Sequence, residues 1–430
     1  GRGLMAGAPP FPPESRATLA NWQEPPFNRW AFQHVRELIP TARIARAAWA
    51  GAAGAAAGGG AAAGAGGVAG AAGEGWQLAR DERDITSLRY RSGDRDLTVG
   101  QMLAETYTDG FLVLHRGRIV AEHYFNGLTP ATPHLLMSVS KSVTSMVAGV
   151  LAGRGMLDVS APVSEIVPEL ASTSFAGATV QHLLDMRAGT RFNEDYDDLE
   201  ADVRTYEQVY LWRPRDPGAP LPEDALAYFA TLGNDGPHGG PFRYRSILTD
   251  VLAWVIERAA GDRLHHLITR ELWQPMGAEF DAEITVDPHG NPMADGGICA
   301  TLRDLGRFGQ LFLRRGRVGD REIVPAAWIG DTIRGAPDGA EAFTGGDNLP
   351  GYPAGAHYRN CWWVRDPGVP FCHASGINGQ NVFIHEPSQT VVVKLSTWPV
   401  ALSESMLRLT VDAVTALAAS WQEGSPGTGV

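Results

Sequence analysis

A serine and a lysine three residues apart open an apolar helical segment, HLLMSVSKSVTSMVAGVL, over residues 134–151. On a helix Ser138 and Lys141 would share one face, so the amine can reach the hydroxyl. A serine hydroxyl is a weak nucleophile unless a base takes its proton. The chain has only two lysines, Lys141 and Lys394, among 36 basic residues. Because lysine can lose a proton and arginine cannot, we predict that Lys141 is the base for Ser138, with burial lowering its pKa.

A tyrosine in the triplet Tyr244-Arg245-Ser246 directly precedes a second segment with helical spacing. Taken alone, a tyrosine in this position is more often a packing aromatic than a catalytic group. A phenol placed between a nucleophile and a leaving group can nevertheless relay a proton if a nearby cation stabilises its anion. The residue pattern alone leaves both roles for Tyr244 open.

The elements that must position these residues follow from hydrophobic periodicity. Residues 111–125 alternate as two strands around a short turn, and residues 138–155 and 246–261 have helical spacing closed by glycine. Near the C-terminus the runs NVFIHEP and TVVVKLSTW predict paired strands, followed by a helix over 403–421. Residues 28–39 also have helical spacing. This order predicts an α/β fold with a sheet built from both ends of the chain and a mostly helical insertion.

Composition excludes several classes of protein. The 430 residues are 44% hydrophobic, enough for a large core. A net charge of −12 without a long basic run disfavours nucleic acid and anionic membranes as partners. Three cysteines without a Cys-x-x-Cys pair argue against a disulfide framework and a structural zinc site. The N-terminal residues lack the apolar run of a secretory signal, so we expect a cytoplasmic protein.

Residues 51–73 form a low-complexity Ala/Gly segment that contains a formal Gly-x-Gly-x-x-Ala match beginning at Gly64. No strand pattern precedes this match, so we interpret the segment as a flexible linker and not as a nucleotide site. The adjacent histidines His265 and His266 lie within a helical pattern and are more plausibly structural than metal-binding. The chain lacks a His-Glu-x-x-His motif, a Walker loop and a Gly-x-Ser-x-Gly elbow. We therefore predict no metal and no cofactor.

Several segments resemble, in their order along the chain, the 6-aminohexanoate-dimer hydrolases (nylon-oligomer hydrolases) of the serine β-lactamase and penicillin-recognising superfamily. These segments are WQEPPFNRWAF, LLMSVSKS, NEDYDD, FRYRSILTDVLAWVIERAAG, DGGICATLRDLGRFGQLFL, CWWV and SGINGQN. The Ser-x-x-Lys spacing is also the nucleophile motif of β-lactamases. The resemblance covers most of the chain outside the linker and the extreme ends. It implies a β-lactamase-like antiparallel sheet flanked by helices, with a mostly helical inserted domain.

The resemblance and the element order together predict a division of the chain into four parts. An N-terminal segment, 1–50, would pack on the body, and the linker, 51–73, would follow it. The β-lactamase-like α/β domain would comprise 74–157 and 241–430, and the inserted domain would be 158–240.

The resemblance also implies catalytic roles. Ser138 would be the nucleophile, Lys141 its base, and Tyr244 of the Tyr-x-Ser element the third catalytic residue. The backbone N–H groups of Ser138 and Ile377 would form the oxyanion hole, and such a donor typically contributes about 3 kcal/mol of transition-state stabilisation.

One element departs from the superfamily pattern. The triplet Ala374-Ser375-Gly376 takes the place of the Lys-Thr-Gly or His-x-Gly element that lines the substrate, and His373 lies one residue earlier. No lysine or arginine occupies the first triplet position, so the cation that usually meets a β-lactam carboxylate is missing. This absence argues against a penicillinase.

A set of substrate-contacting residues follows from the same resemblance: Tyr196, Glu207, Asp295, Trp363, Ser246 and Gly376. Tyr196 would contact the scissile amide, and Glu207 would face a cationic amine of the substrate. Asp295 occupies a pocket position that is often Asn or His in the family, and Trp363 would lie on a loop that closes over the substrate. From the residues alone, Asp295 could equally start a turn and Trp363 could be a core aromatic.

We therefore predict a serine hydrolase that cleaves ester and linear amide bonds through an acyl-enzyme, with carboxylesterase activity. One alternative is a β-lactamase or D,D-peptidase, which would share the serine, lysine and tyrosine. Another is a non-catalytic penicillin-recognising binding module. The predicted partner is a small ester or amide substrate, and a homodimer is left open.

Overall fold

A computed structural model describes residues 3–46, 78–347 and 351–422 of the chain. The predicted linker, with its Gly-x-Gly-x-x-Ala match, lies outside the described residues. The division into four parts likewise stays a prediction.

The main sheet has seven strands, all paired antiparallel, in the order β11-β12-β13-β14-β15-β4-β5. The predicted pairing of the two C-terminal runs is confirmed, since Val382 lies opposite Val393. The strands of the described residues are β1 (Thr41–Ile44), β2 (Arg89–Ser92), β3 (Arg95–Thr98), β4 (Thr108–His115), β5 (Arg118–Tyr124), β6 (His134–Leu135), β7 (Ala282–Thr285), β8 (Ile298–Ala300), β9 (Arg317–Val318), β10 (Arg321–Glu322), β11 (His357–Arg359), β12 (Trp362–Asp366), β13 (Phe371–Gly376), β14 (Gln380–His385) and β15 (Thr390–Ser396).

Helices cover both faces of this sheet, and most of them are short. The α-helices are α1 (Asn28–Ala31), α2 (Val99–Glu105), α3 (Val139–Gly153), α4 (Val163–Ile166), α5 (Val180–Leu184), α6 (Asp202–Val209), α7 (Ala225–Thr231), α8 (Ile247–Ala260), α9 (Leu264–Leu267), α10 (Leu302–Leu313), α11 (Ala326–Arg334), α12 (Gly339–Thr344) and α13 (Glu404–Gln422). Four 3-10 helices (Pro13–Ser15, Val35–Glu37, Pro168–Leu170 and Ile377–Gly379) and one π-helix (Ile268–Trp273) complete the set. The predicted antiparallel sheet flanked by helices is confirmed.

The central strands bury side chains on both faces, which explains their nearly continuous apolar runs. On β4, Leu112 belongs to the larger core, which contains α3 and α10, whereas Val113 belongs to the core under α2 and α13. Helix α10 lies close to the sheet because it carries glycines at the contact. A Cβ at Gly306 would come within 2.5 Å of the Leu112 side chain, and one at Gly309 would come equally close to Val391.

Helix α3 runs through the larger core and carries Ser138 at its N-terminal end. Every residue from Val139 to Leu151 is buried. Met137, directly before Ser138, has φ 48°, a left-handed conformation that is costly for a non-glycine residue. The chain therefore turns sharply at Met137 and then enters the helix. This start agrees with the helix predicted over 138–155.

A second sheet, in the order β1-β7-β8-β6, was not among the predicted elements. Its strands are only two to four residues long, too short to give a periodic signal. Strand β6 precedes Ser138 and pairs with β8, where Leu135 lies opposite Cys299. Strand β8 follows the turn that contains Asp295, so this sheet brings Asp295 towards the start of α3.

The helix predicted over 28–39 is only partly present. It consists of α1 and a separate 3-10 turn. Between them the carbonyl of Phe32 accepts a hydrogen bond from the Leu135 N–H at 2.8 Å, which ties this backbone to the segment before Ser138. Just upstream, the buried Trp22 donates its indole N–H to the carbonyl of Trp212 at 2.6 Å.

Candidate active site

The structure brings the predicted serine and lysine into contact. The Nζ atom of Lys141 donates to Ser138 Oγ at 2.8 Å and to the backbone carbonyl of Asp295 at 2.8 Å. Lys141 is only 1% exposed, whereas Ser138, 9% exposed, lines a cavity. The amine is thus enclosed by protein, while the hydroxyl remains accessible from the cavity.

The prediction of a neutral lysine in the free protein is wrong. Burial by itself would lower the pKa of Lys141, but the negative charges of the Tyr244 phenolate and of nearby carboxylates more than offset burial, so the pKa lies above its ordinary value. The nearest carboxylate oxygen, Asp295 Oδ2, lies 4.0 Å from Nζ. The sequence showed the apolar helix that buries Lys141 but not the acidic side chains from distant segments that surround it. The surroundings of Lys141 therefore favour its ammonium form over the neutral amine.

Tyr244 lies beside this pair. Lys141 Nζ is 5.1 Å from the centroid of the Tyr244 ring. Burial raises the pKa of Tyr244, and this increase is partly offset by the Lys141 charge and by hydrogen bonds to Ser138 and Lys141. Trp363 stacks on the phenol at 5.5 Å between centroids, with 19° between the planes. The packing and proton-transfer roles left open by the sequence are therefore compatible, because the ring packs while its hydroxyl faces Ser138.

The end of β13 lies against the backbone at Ser138. A Cβ placed on Gly376 would come within 2.7 Å of the Leu136 carbonyl and 2.9 Å of the Ser138 nitrogen. Ile377 follows at the start of a 3-10 turn in which Asn378 has φ 56°. Ser138 and Ile377 both line the cavity, and the oxyanion hole that they would form stays a prediction.

The cavity next to Ser138 is partly open to solvent. It is lined by Gln23, Met137, Ser138, Tyr196, Val203, Tyr206, Glu207, Trp212, Ser246, Met293, Asp295, Gly296 and Ile377. Four of the six predicted substrate residues, Tyr196, Glu207, Ser246 and Asp295, are in this lining, together with Ile377, the predicted oxyanion donor. Gly376 lies behind it, against Ser138.

Glu194, which the sequence prediction missed, organises one wall of this cavity. Its Oε1 accepts hydrogen bonds from the Tyr196 hydroxyl and the Ser246 hydroxyl, each at 2.5 Å. Its Oε2 accepts the Ser246 backbone N–H, also at 2.5 Å. Glu194 therefore fixes two of the predicted substrate residues. It lies within the NEDYDD run, and one acidic residue among several gives no sequence signal of its own.

Glu207 does not face the cavity as a free carboxylate. Its Oε2 pairs with Arg204 at 3.0 Å and with Arg213 at 2.5 Å, and its Oε1 accepts a hydrogen bond from Gln23 at 3.0 Å. The charge predicted to meet a substrate amine is thus already matched by two guanidinium groups. The arginines come from α6 and from the turn that follows it, so their convergence was not evident from the sequence.

Asp295 lies in the turn before β8 and is 6% exposed. Burial raises its pKa to about 6, although Lys141 opposes this shift. The buried Asp250 of α8 holds the turn, since its Oδ1 accepts the N–H groups of Ala294 and Asp295 at 2.6 and 3.1 Å. Asp250 was also missed. The available signal was an aspartate in the middle of an otherwise apolar helix face.

Trp363 lies on strand β12 and not on a closing loop, so that prediction is wrong. It pairs with Tyr358 on one side and His373 on the other, and it is 6% exposed. Tyr352 stacks on its ring at 5.6 Å. Both tryptophans of the CWWV run lie on strand β12 and pack against other aromatic side chains. Trp363 therefore contributes to the site by stacking on the ring of Tyr244.

His373 directly precedes the triplet Ala374-Ser375-Gly376, but it does not supply the cation that this triplet lacks. It is fully buried, and burial lowers its pKa well below the usual range. Its Nε2 lies 3.0 Å from the Tyr352 hydroxyl. The described part of the chain also contains no group of three His, Cys, Asp or Glu side chains arranged to hold a metal ion. No helix among the described residues is both long and apolar enough to cross a bilayer.

The fold and the serine-lysine-tyrosine cluster agree with a match to a known family. The family model described as Beta-lactamase matches residues 96–417, which is more than half of the chain. The chain therefore belongs to the beta-lactamase family.

Individual relatives narrow this assignment. A 6-aminohexanoate-dimer hydrolase from Paenarthrobacter ureafaciens is 36% identical over 397 residues, covering 92% of this chain and 90% of that protein. A solved structure from Bacillus anthracis, described provisionally as a 6-aminohexanoate-dimer hydrolase, superposes with a TM-score of 0.81 at 23% identity, over 94% of this chain and 97% of that one. A family VIII carboxylesterase superposes with a TM-score of 0.56 at 16% identity, over 74% and 96% of the two chains. The predicted resemblance to the 6-aminohexanoate-dimer hydrolases is confirmed.

Proposed function

We propose that this hydrolase cleaves esters and linear amides through a covalent acyl-enzyme on Ser138. The observation that carries the proposal is the contact of 2.8 Å between Lys141 Nζ and Ser138 Oγ at the edge of the cavity, with Tyr244 beside both. A nucleophile within reach of a base, and a second proton carrier on the other side, is the arrangement that acyl transfer requires.

The protonation states of Lys141 and Tyr244 determine the order of the proton transfers. The pKa values of Lys141 and Tyr244 are both raised, which favours the protonated form of each. The reacting form is the one in which this coupled pair has lost one proton. In that form Lys141 takes the Ser138 proton as Oγ attacks the carbonyl carbon, and Tyr244 donates a proton to the leaving oxygen or nitrogen. Water then attacks the acyl-enzyme and gives a proton to the Tyr244 phenolate, while Lys141 returns its proton to Ser138 Oγ.

Ester hydrolysis is the broader part of this proposal, and cleavage of linear amides of the 6-aminohexanoate type is the narrower part. The fold shared with a family VIII carboxylesterase supports the first. The 36% identity to a 6-aminohexanoate-dimer hydrolase supports the second. Purified protein should hydrolyse 4-nitrophenyl acetate with an initial burst of 4-nitrophenol equal to the enzyme concentration, because acylation releases the phenol before water resolves the intermediate. Failure to release nitrophenol above the uncatalysed rate would contradict the proposal.

The pH dependence should reflect the proton that must leave. We expect kcat/KM for a neutral ester to rise from about pH 7 to about pH 9, by up to about tenfold per unit. The sign follows from the raised pKa values of Lys141 and Tyr244, since higher pH removes the proton that blocks the base. Initial rates measured over this range, with uncatalysed hydrolysis subtracted, test the point. A profile that falls with pH would contradict it.

A single methyl group on β13 should disturb the oxyanion hole. Gly376→Ala would place a Cβ 2.9 Å from the Ser138 nitrogen, closer than real Cβ atoms approach, so the strand or the helix start must shift. We expect kcat to fall by about 10²-fold or more, comparable to the loss of an oxyanion donor. Gly330→Ala, on α11 where a Cβ meets nothing within 4 Å, is the matched control and should keep wild-type activity. Equal activity of the two variants would contradict the placement of the oxyanion hole.

A β-lactamase would use the same three residues. The neutral, buried His373 and the absence of Lys or Arg from the triplet favour the esterase proposal over it. Nitrocefin hydrolysis faster than ester hydrolysis would reverse this choice.

A further inference from the structure

We propose that Lys394, the second lysine of the chain, is a positioning residue for the oxyanion hole, because its amine anchors the hydrogen bonds that hold the backbone turn at Ile377. This inference rests on the proposed function, since that turn carries one of the two N–H groups predicted to bind the oxyanion. The mechanism proposed above uses Lys141 and leaves Lys394 without a role.

The amine of Lys394 serves as a hydrogen-bond donor in the protein interior. Lys394 lies on β15 and is fully buried. Its Nζ donates to the Ser396 hydroxyl and, at 3.3 Å, to the backbone carbonyl of Thr106. The negative charge that acts on it belongs to Asp109, whose carboxylate is already paired with Arg29 at 3.2 Å. Burial lowers the pKa of Lys394 to about 7, so the hydrogen bonds and not an ion pair account for this buried amine.

Two further hydrogen-bonded steps lead from Ser396 to the turn. The Ser396 N–H donates to Gln380 Oε1 at 3.1 Å, and Gln380 Nε2 donates to the Ser396 carbonyl at 2.7 Å. The same Nε2 atom lies 3.3 Å from the carbonyl oxygen of Ile377 and 3.1 Å from that of Asn378. Lys394, Ser396 and Gln380 are each 0% exposed, so water does not replace a bond that is lost in this chain.

The turn has a backbone conformation that its surroundings must hold in place. Asn378 has φ 56°, in the left-handed region that is unfavourable for a non-glycine residue. Gly379 follows with φ 88°, and a Cβ there would come within 2.3 Å of the Trp398 indole. The Trp398 Nε1–H donates at 3.0 Å to the same Thr106 carbonyl that accepts the Lys394 amine. The amine and the indole that packs against the turn therefore share one acceptor.

Loss of the Lys394 amine should affect the rate of acylation and not the binding of the ester. The cavity lining contains neither Lys394 nor Ser396 nor Gln380, so the groups that would contact a bound ester stay in place. The Ile377 N–H would instead be displaced, and an oxyanion donor acts on charge that develops only in the transition state. Because loss of a whole donor costs about 10²–10³-fold in rate, we expect a displaced donor to cost at least about tenfold.

The first experiment replaces Lys394 by methionine, which keeps an unbranched side chain and removes the donor. Stopped-flow acylation by 4-nitrophenyl acetate over a range of ester concentrations gives the acylation rate constant and the dissociation constant of the ester. We expect the rate constant to fall at least about tenfold and the dissociation constant to stay within about twofold of wild type.

Arg307→Met is the matched control. Arg307 is another buried cation, on α10 against the same sheet, and its partners include Glu279 and Asp304. This variant should lose stability, yet its folded fraction should acylate at a rate close to that of the wild type. A purely structural role of Lys394 would give the two variants the same acylation rate constant.

A boronic acid tests the oxyanion hole itself, because its adduct on Ser138 Oγ places an oxygen where the oxyanion forms. The inhibition constant of 1-butaneboronic acid should be at least about tenfold higher for Lys394→Met than for the wild type. Inhibition by 1-pentanol, which forms no adduct, should be the same for both proteins. Equal inhibition of both proteins by the boronic acid would overturn the proposal.

Ser396→Ala removes the acceptor of the amine and is a smaller change, so it decides the question if Lys394→Met does not fold. It should lower the acylation rate constant by at least about threefold, the value of one hydrogen bond. The double variant Lys394→Met/Ser396→Ala should be no slower than Lys394→Met, because both changes break the same contact. Additive losses, or wild-type acylation by Ser396→Ala, would overturn the proposal.

The outcomes separate this proposal from the proposed function. Absence of acylation in the wild-type enzyme would count against the proposed function. Acylation by the wild type together with an unchanged rate constant in Lys394→Met, or a loss confined to the dissociation constant, would overturn the role of Lys394 alone.

Discussion

Replacing Ser138 by alanine should lower kcat for ester hydrolysis by at least about a thousandfold, since the remaining site can bind the ester but cannot form the acyl-enzyme. The burst of 4-nitrophenol should disappear with it. The change removes one hydroxyl at the cavity edge, so thermal unfolding should stay close to that of the wild type.

Ser142→Ala is the matched control on the same helix. The Ser142 hydroxyl is buried and donates to the Cys361 carbonyl at 2.7 Å, away from the cavity lining. Its loss should lower the free energy of unfolding by about 1–3 kcal/mol, because the carbonyl is left without this partner. Its kcat should stay within a few-fold of wild type. Equal loss of activity in both variants would indicate damage to α3 and not removal of the nucleophile.

Lys141→Arg should lower kcat by about 10²–10⁴-fold. Arginine keeps the positive charge among the surrounding carboxyl groups but cannot give up its proton at any accessible pH. The variant should therefore also lose the rise of kcat/KM with pH that the wild-type enzyme shows. Stopped-flow measurement of acylation with 4-nitrophenyl acetate would place the loss in the first chemical step.

Lys141→Met provides the complementary case, because it removes the charge as well as the base. Its kcat should fall as far as that of Lys141→Arg. The pKa values of Asp295 and Asp250 should be higher in this variant than in the wild type, because the ammonium no longer stabilises their carboxylates. Retention of a tenth or more of wild-type kcat by Lys141→Arg would show that Lys141 acts only as a cation and that another group takes the serine proton.

The scarcity of lysine was a useful sequence signal because both lysines prove to be buried. Lys394 on β15 is fully buried, and burial lowers its pKa to about 7, in contrast to Lys141. The predicted burial of Lys141 is confirmed, whereas for Lys394 no prediction was made from the sequence. It could not indicate the direction of the pKa shift, which depends on acidic groups such as Glu194 and Asp250 that the fold brings from distant segments.

Periodicity predicted the long elements well, including α3, α8, α13 and the β14–β15 pair. It failed for the short strands of the second sheet, whose pairing depends on partners far away in the chain. The pocket residues show the same limit. Tyr196, Ser246 and Asp295 do line one cavity, but the pairing of Glu207 with two arginines, and the position of Trp363 on a strand, result from tertiary contacts that spacing does not encode.

Intact-mass spectrometry of the enzyme mixed with excess 4-nitrophenyl acetate and quenched in acid within the burst tests the central claim most directly. The wild-type protein should gain the mass of one acetyl group, peptide mapping should place that group on Ser138, and Ser138→Ala should gain none. Steady turnover without a covalent adduct, or an adduct that persists in Ser138→Ala, would contradict the account.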